Sequence, residues 1–241
     1  MKNFGVKPYL FPMPTYMIGT YNEDDSVDVM MMAWGGICAE DMVALNLESE
    51  HKTVVNLEAR RAFTLAVPGV ETLEQSDFLG IATANKTADK FARSGLHAVK
   101  SERVDAPVIT EYPLTLECEV VEMQNQPYGL RVLGRIVNVL ADERVLDENG
   151  KIDAGKLGAF TFDQMRSGYY AVGEKVGQAW HSGAGFFLAC APYAFQALTS
   201  FSSHWHQAST PSPVLAEMGK IFSSGLRLSA NSRTLSMSKS K

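Results

Sequence analysis

VDVMMMAWGGICAEDMVALNLESEHKTVVNL, residues 27–57, contains the strongest pattern of the sequence. The run at residues 30–34 predicts a buried strand, and Met42–Leu47 predicts a second one. Between them, Gly35 and Gly36 allow a turn or a close approach of the backbone to a flat ligand. The three methionines can line such a ligand, although thioether side chains more often fill irregular gaps in a core. The stretch therefore predicts two buried strands with a glycine-rich connection.

The polar segment ESEHKT, residues 48–53, predicts the start of a helix. Ser49 is a good N-cap, and an apolar face follows at Val54, Val55 and Leu57. A helix N-terminus presents unpaired N–H groups and a partial positive charge, so Ser49, Lys52 and Thr53 together predict a phosphate site. The simpler alternative is that Ser49 only caps the helix and that the other two are ordinary first-turn residues.

Antiparallel strands dominate the rest of the predicted fold. They cover residues 15–20, 62–67, 114–122 and 131–140, and short helices cover residues 71–81 and 88–94. Thr87 is the expected cap of the second of these helices, and Gly95 is its expected left-handed end. Alternation with Leu116, Cys118 and Val120 predicts that Glu117 and Glu119 face solvent, as on the staves of a barrel. The predicted fold class is mainly β with peripheral helices.

Composition and charge exclude one class of partner. The 241 residues carry a formal net charge of −5, and 46% of them are hydrophobic, which supplies a sizeable core. Residues 182–241 hold five basic side chains and one acidic side chain, so residues 1–181 carry a net charge of −9. An acidic body lacks the basic face that nucleic-acid binding needs. We therefore expect no nucleic-acid partner.

Short motifs narrow the chemistry further. Cys38, Cys118 and Cys190 are widely spaced without a CxxC pair, so neither a disulfide framework nor a zinc site is predicted. Cys38 is interpreted as a small buried side chain, since no GxSxG elbow accompanies it. The dinucleotide signature GxGxxG and the phosphate loop GxxxxGKS/T are absent. A cytoplasmic protein is expected, with no signal peptide and no membrane span.

Several segments together resemble the flavin reductase-like family, whose members are FMN-binding split-barrel proteins. The resemblance rests on the order and spacing of PTYMIGTY (14–21), AWGGIC (33–38), SEHKTVVNL (49–57), FTLAVP (63–68), DKFARSG (89–95), VDAP (104–107), LECEVV (116–121) and YYAVGE (169–174). It covers residues 8–180. The resemblance implies a split β-barrel that binds FMN.

The same resemblance implies which residues contact the cofactor. Backbone groups around residues 32–35 would bind the ring edge, methionine and tryptophan side chains would wall the ring, and the ESEHKT segment would hold the phosphate. Residues 85 and 86 would close on the flavin, unless they belong to an ordinary helix-turn-helix segment on the protein surface. Tyr169 would lie over the flavin, unless it is a core or interface aromatic residue. The expected cofactor-binding residues are Met31, Met32, Ala33, Trp34, Gly35, Ser49, Lys52, Thr53, Asn85, Lys86 and Tyr169.

By resemblance, the activity is that of a homodimeric, FMN-dependent oxidoreductase. NADH or NADPH would act as a transient hydride donor, and free flavin or a redox partner protein would accept the electrons. Because the cofactor carries the redox chemistry, no catalytic side chain is expected. The alternative is a flavoredoxin-type electron-transfer protein without nicotinamide turnover of its own. A third possibility is a barrel that binds no flavin.

The C-terminal part of the chain departs from this pattern. Members of the family usually end near residue 180, whereas residues 182–241 form a Ser- and Ala-rich extension. We expect residues 1–181 to form the split-barrel domain and the extension to be largely disordered. His204 and His206 lie in the extension without a neighbouring carboxylate or thiol, so they do not predict a metal site.

Overall fold

A computed structural model describes residues 1–184 and Phe186. Met1–Val176 forms one compact unit, and Gly177 begins a second one. The helices are α1 (Lys52–Arg60), α2 (Leu73–Ile81) and α3 (Lys90–Ser94). The strands are β1 (Met13–Pro14), β2 (Tyr16–Tyr21), β3 (Val27–Met32), β4 (Gly35–Ala39), β5 (Met42–Leu47), β6 (Ala62–Val67), β7 (Ala98–Lys100), β8 (Pro107–Ile109), β9 (Leu114–Gln126), β10 (Gly129–Ala141), β11 (Phe160–Asp163) and β12 (Gly168–Ala171).

Some sequence-based predictions cannot be compared with these elements. The predictions about Cys190, about His204 and His206, and about most of the extension lie outside the described residues. The division after residue 181 therefore stays a prediction. Among the helices of the described part, none has the length and apolarity that a membrane crossing requires.

Seven strands form an antiparallel sheet whose two edges are held close together. The strand order is β3-β2-β6-β9-β10-β5-β4, so β3 and β4 are opposite edges. Only Ala33 and Trp34 connect these edge strands, and three Cα–Cα steps span at most about 11 Å. In a flat sheet, six inter-strand spacings would separate the edges by roughly 29 Å. The sheet therefore curls into a barrel that stays split between β3 and β4, and we call this gap the seam.

The chain crosses the seam at Ala33 and Trp34. Gly35 and Gly36 lie within strand β4, so the turn predicted at these glycines is wrong. Gly35 is required for packing instead. A Cβ atom at this position would overlap the carbonyl oxygen of Ala44 on β5 and would lie 2.7 Å from the Cε methyl of Met32.

Two apolar clusters pack against opposite faces of the curved sheet. The inner cluster fills the barrel and receives Val54 and Leu57 from α1, which pack with Met32, Leu45, Phe63 and Val132. The outer cluster lies beneath α2 and α3 and includes Met17, Val29, Leu79 and Leu96, with Met31 packed against it. Neighbouring side chains of a strand point to opposite faces. Met31 and Met32 therefore belong to different cores.

All three helices begin later than the sequence predicted. Helix α2 begins at Leu73 and not at residue 71, because a 3-10 turn at Val70–Thr72 precedes it. Helix α1 begins at Lys52, and its N-cap is His51, whose side chain makes no capping hydrogen bond. The prediction that Ser49 caps this helix is wrong, because Ser49 lies in the exposed turn before it. Helix α3 begins at Lys90 after Asp89, so the predicted cap at Thr87 is also wrong. Gly95, with φ of 71°, confirms the predicted left-handed helix end.

Three side chains have the opposite burial to that predicted. Val55 is exposed on the outer side of α1, and Cys38 is exposed because β4 is an edge strand. Glu117 is buried although its position alternates with apolar residues. The pairing of β9 with β10 shifts register beside Asn138, which faces Glu117. The Glu117 carboxylate accepts hydrogen bonds from Asn138 Nδ2 at 2.6 Å and from Ser101 Oγ at 2.5 Å, and these replace its hydration.

Candidate functional site

The N-terminus of α1 presents hydrogen-bond donors that the described chain does not use. The backbone N–H groups of Lys52 and Thr53 have no acceptor among the described residues. The first turn contains no acidic residue, and no side chain caps it. A helix N-terminus carries about half a positive charge, and the half-buried Lys52 adds a full one. This terminus is therefore suited to bind an anion such as a phosphate group.

A cavity of about 150 Å³ opens beside this terminus. His51, Lys52 and Thr53 line one side of it, and residues 79–84, which end α2 and begin the connection to α3, line another. Small-molecule pockets typically measure about 300–1,000 Å³. The cavity thus accommodates one end of a cofactor-sized ligand, and the rest of such a ligand has to extend along the protein surface.

The connection between α2 and α3 is fastened to the turn that precedes α1. Asn85 Nδ2 donates a hydrogen bond to the carbonyl oxygen of Glu50 at 2.8 Å. Asn85 is therefore brought to the predicted site, where it holds two walls of the cavity together. Lys86 follows it with an exposed side chain, and Ser49 is exposed in the turn on the other side.

A buried ion pair lies at the base of the cavity. The ammonium of Lys90 is 3.1 Å from Asp28 Oδ1, and their side chains are 4% and 1% exposed. The other carboxylate oxygen of Asp28 accepts a hydrogen bond from Thr53 Oγ1 at 2.8 Å. Lys90 also donates to the carbonyl oxygen of Ala82 at 3.2 Å. These contacts join β3, α1 and the α2–α3 connection at one point.

Neither member of this ion pair was predicted as a site residue. The sequence contains a signal for each: Asp28 interrupts an apolar strand, and Lys90 lies in the DKFARSG segment. Charged side chains are almost never fully buried unless they are paired. An acid in a buried strand therefore predicts a partner, but the sequence alone does not identify Lys90 as that partner.

The seam supplies a second set of free donors and acceptors. Each edge strand, β3 and β4, is paired on one side only within the described chain. The carbonyl oxygen of Trp34 accepts hydrogen bonds from the backbone N–H and the side-chain Nδ2 of Asn46, at 2.9 and 3.1 Å, which fixes the crossing. The indole of Trp34 is 51% exposed, and Ala33 is half-buried. A flat ligand with a polar edge can pair with this backbone.

Strand β3 connects the two halves of the site. Asp28 near its start is bonded to Thr53 of α1, and Ala33 follows its last residue. Five residues of extended strand span roughly 16 Å. The arrangement therefore suits an elongated ligand with an anionic group at one end and a flat polar group at the other.

Met31 and Tyr169 meet on the outer side of β3, away from the barrel interior. Tyr169 Oη donates to Asp77 Oδ1 at 2.7 Å and lies 3.5 Å from Met31 Sδ. Burial, followed by the hydrogen bond and charge of Asp77, raises the pKa of the Tyr169 hydroxyl above its ordinary value. Met32, in contrast, is 4% exposed in the barrel core, so only its backbone is available at the seam.

The predicted site residues thus fall into groups. Lys52 and Thr53 share the α1 terminus with Ser49 and Asn85 nearby, while Ala33, Trp34 and Gly35 lie at the seam. The hydroxyl of Thr53 is already bonded to Asp28, so only its N–H group remains for a ligand. Within the described residues, no cluster of three or more His, Cys, Asp or Glu side chains could hold a metal ion.

Comparison with known proteins identifies the family of this chain. Residues 9–160 match the family described as "Flavin reductase like domain". A flavoredoxin of Desulfovibrio vulgaris (Miyazaki F) is 31% identical, with a TM-score of 0.72 over 76% of this chain and 99% of that one. A flavoredoxin from Methanosarcina acetivorans is 22% identical, with a TM-score of 0.69 over 77% of this chain and 100% of that one. An FMN-binding protein from Thermus thermophilus is 18% identical, with a TM-score of 0.61 over 74% and 98% of the two chains.

The chain belongs to the flavin reductase-like family. The family match covers more than half of the chain, and the resemblance inferred from the sequence is confirmed. The predicted fold, a mainly β split barrel with peripheral helices, is confirmed as well.

Proposed function

We propose that this protein is an FMN-dependent oxidoreductase whose cofactor lies along β3, between the N-terminus of α1 and the seam. One observation carries the proposal: the N-terminus of α1 is uncapped, free of acidic residues and equipped with Lys52, and it adjoins an unpaired sheet edge. FMN has the matching chemistry, because it combines a phosphate with a flat, polar-edged ring. Several of the similar structures are FMN-binding proteins or domains, which supports this choice.

The phosphate end would be held by groups of α1. The N–H groups of Lys52 and Thr53 would donate to phosphate oxygens, and the Lys52 ammonium would balance their charge. Ser49 can add its hydroxyl, since it is exposed in the preceding turn. Asn85 would act by holding the α2–α3 connection against residue 50, and Lys86 would contribute long-range positive charge.

The ring end would be held by the seam. Backbone groups of Ala33 and Gly35 and the unpaired edge of β3 would bind the polar edge of the ring, and the exposed indole of Trp34 would cover part of one face. Tyr169 contacts Met31 on the outer side of β3, and it would influence the ring indirectly through this contact. No described side chain is needed as an acid or base in this arrangement.

Bound FMN would supply the redox chemistry, with NADH or NADPH as hydride donor and free flavin or a redox protein as acceptor. The residues of the chain orient the ring and leave one face accessible to the donor. We also propose a homodimer, because the apolar side chains of Trp34 and Ile37 are 51% and 65% exposed next to the seam.

A second function is favoured by a specific observation. Among the similar structures, the flavoredoxin of Desulfovibrio vulgaris (Miyazaki F) is 31% identical to this chain, and the match covers 99% of the flavoredoxin. The protein would then carry electrons between partners without oxidising nicotinamide itself. The two functions share one cofactor site and differ only in the donor.

The test begins with the absorbance spectrum of the purified full chain and mass analysis of what heat releases from it. Flavin bands with released FMN are the expected result. A colourless protein that does not take up added FMN would refute the proposal. Steady-state oxidation of NADH and NADPH with free FMN then separates the two functions: fast turnover indicates a flavin reductase, and negligible turnover by an FMN-loaded protein indicates an electron carrier.

A further inference from the structure

Lys90 is the most deeply buried cation that the described chain places near the proposed cofactor site. Its side chain is 4% exposed, and its ammonium contacts Asp28 Oδ1 at 3.1 Å and the Ala82 carbonyl oxygen at 3.2 Å. Lys90 also lines the cavity, but its ammonium is occupied by Asp28 and by the carbonyl oxygens of Leu79 and Ala82. We therefore expect its effect on a ligand to act through Asp28.

Asp28 lies where a negative charge opposes the binding of an anion. Its Oδ2 accepts the hydroxyl hydrogen bond of Thr53, and the unused N–H group of the same residue is a proposed phosphate donor. Asp28 also lines the cavity beside that terminus. With 1% exposure, its charge is little screened by water, so its influence on a neighbouring phosphate is large.

A cation at this position resolves the conflict between anchoring and repulsion. The carboxylate anchors α1 through Thr53, whereas its charge, if left unbalanced, would repel the phosphate. Lys90 neutralises the charge without displacing the anchoring hydrogen bond. Its ammonium approaches Oδ1, whereas Thr53 donates to Oδ2. The two functions of the carboxylate are thus separated on its two oxygens.

We propose that Lys90 is a positioning residue that neutralises Asp28 and thereby makes the N-terminus of α1 able to bind the phosphate of FMN. This inference rests on the proposed function. The proposed role of Lys90 differs from a purely structural one, because it affects binding of the phosphate and not binding of the ring. Riboflavin, which lacks the phosphate, therefore serves as the internal reference.

The experiment measures dissociation constants for FMN and for riboflavin on the full chain after flavin removal. Lys90→Met is expected to weaken FMN binding by at least about tenfold, with a change of less than about threefold for riboflavin. The double variant Asp28→Asn with Lys90→Met removes both charges and is expected to restore FMN affinity to within about threefold of the unmodified protein. Arg93→Met is the matched control, since Arg93 lies on the same helix in an exposed pair with Asp89.

Each outcome decides the inference. Selective loss of FMN affinity in the single variant with recovery in the double variant supports it. Equal weakening of both flavins, or no recovery, overturns it. If Lys90→Met alone does not fold, the double variant still decides, because poor FMN binding by a folded double variant overturns the inference. An unmodified protein that binds no FMN refutes the proposed function itself, whereas normal FMN binding by Lys90→Met refutes only the role of Lys90.

Discussion

Replacing Lys52 with methionine isolates the phosphate contact from the fold. Lys52 makes no direct salt bridge within the described chain, its charge acts only at longer range, where it helps to lower the pKa of Asp24, and lysine and methionine have similar helix propensities. The free energy of unfolding should therefore change by less than about 0.5 kcal/mol. A charge-assisted hydrogen bond to the phosphate is worth about 1.5–3 kcal/mol, which corresponds to a loss of about 10- to 150-fold in FMN affinity. The remaining N–H donors should preserve weak binding.

The assay is a titration of the flavin-free protein with FMN and, separately, with riboflavin, followed by flavin fluorescence. Riboflavin binding should be unaffected, because it has no phosphate. Lys100→Met removes an equal charge from strand β7, where Lys100 is exposed and 3.7 Å from Asp105, and it should change neither affinity. The reasoning is refuted if Lys52→Met leaves FMN affinity unchanged, or if it weakens both flavins to the same extent.

Three further outcomes test the fold. Leu57→Ala, in the barrel core, should lower the free energy of unfolding in urea by about 2–5 kcal/mol, whereas Val55→Ala on the exposed side of α1 should change it by less than about 0.5 kcal/mol. Burial raises the pKa of Tyr112 to about 12. The contribution of its neutral form to stability is therefore complete below about pH 10 and is lost as the pH rises towards 12. Tyr112→Phe should make the free energy of unfolding less dependent on pH in that range. Alkylation of the native protein, followed by peptide mass mapping, should modify the exposed Cys38 and spare Cys118, which is buried and whose thiol pKa is raised to about 12.

The sequence predicted the positions of several strands well because apolar runs and breakers act locally, but short strands such as β4 were not predicted. Met42–Leu47 and Ala62–Val67 were predicted with their observed bounds. Helix starts were less accurate: Ser49 is a favourable cap by type, yet the chain leaves β5 through a turn and delays the helix to Lys52. Local helix propensity does not reflect this constraint, because the start of the helix depends on where strand β5 ends.

Long-range pairing accounts for the remaining differences. Glu117 alternates with apolar residues and was expected in solvent, but a register shift in the neighbouring strand brings Asn138 opposite to it. Asp28 and Lys90 are 62 residues apart in sequence, and only the folded chain shows that they form a pair. Burial of a charge follows from its partner, and a single sequence does not name the partner.

The proposed cofactor position also explains why the barrel is left open. An unpaired strand edge exposes backbone donors and acceptors, and it is a liability because another chain can pair with it. Here Ala33 and Trp34 join the two edges at one end, and the edges are not paired with each other. Closing the sheet would satisfy the backbone but remove the groups that a flat, polar ring needs. An open seam beside the uncapped terminus of α1 is therefore consistent with a role in ligand binding. A variant in which β3 and β4 paired should have a higher free energy of unfolding and a lower affinity for flavin.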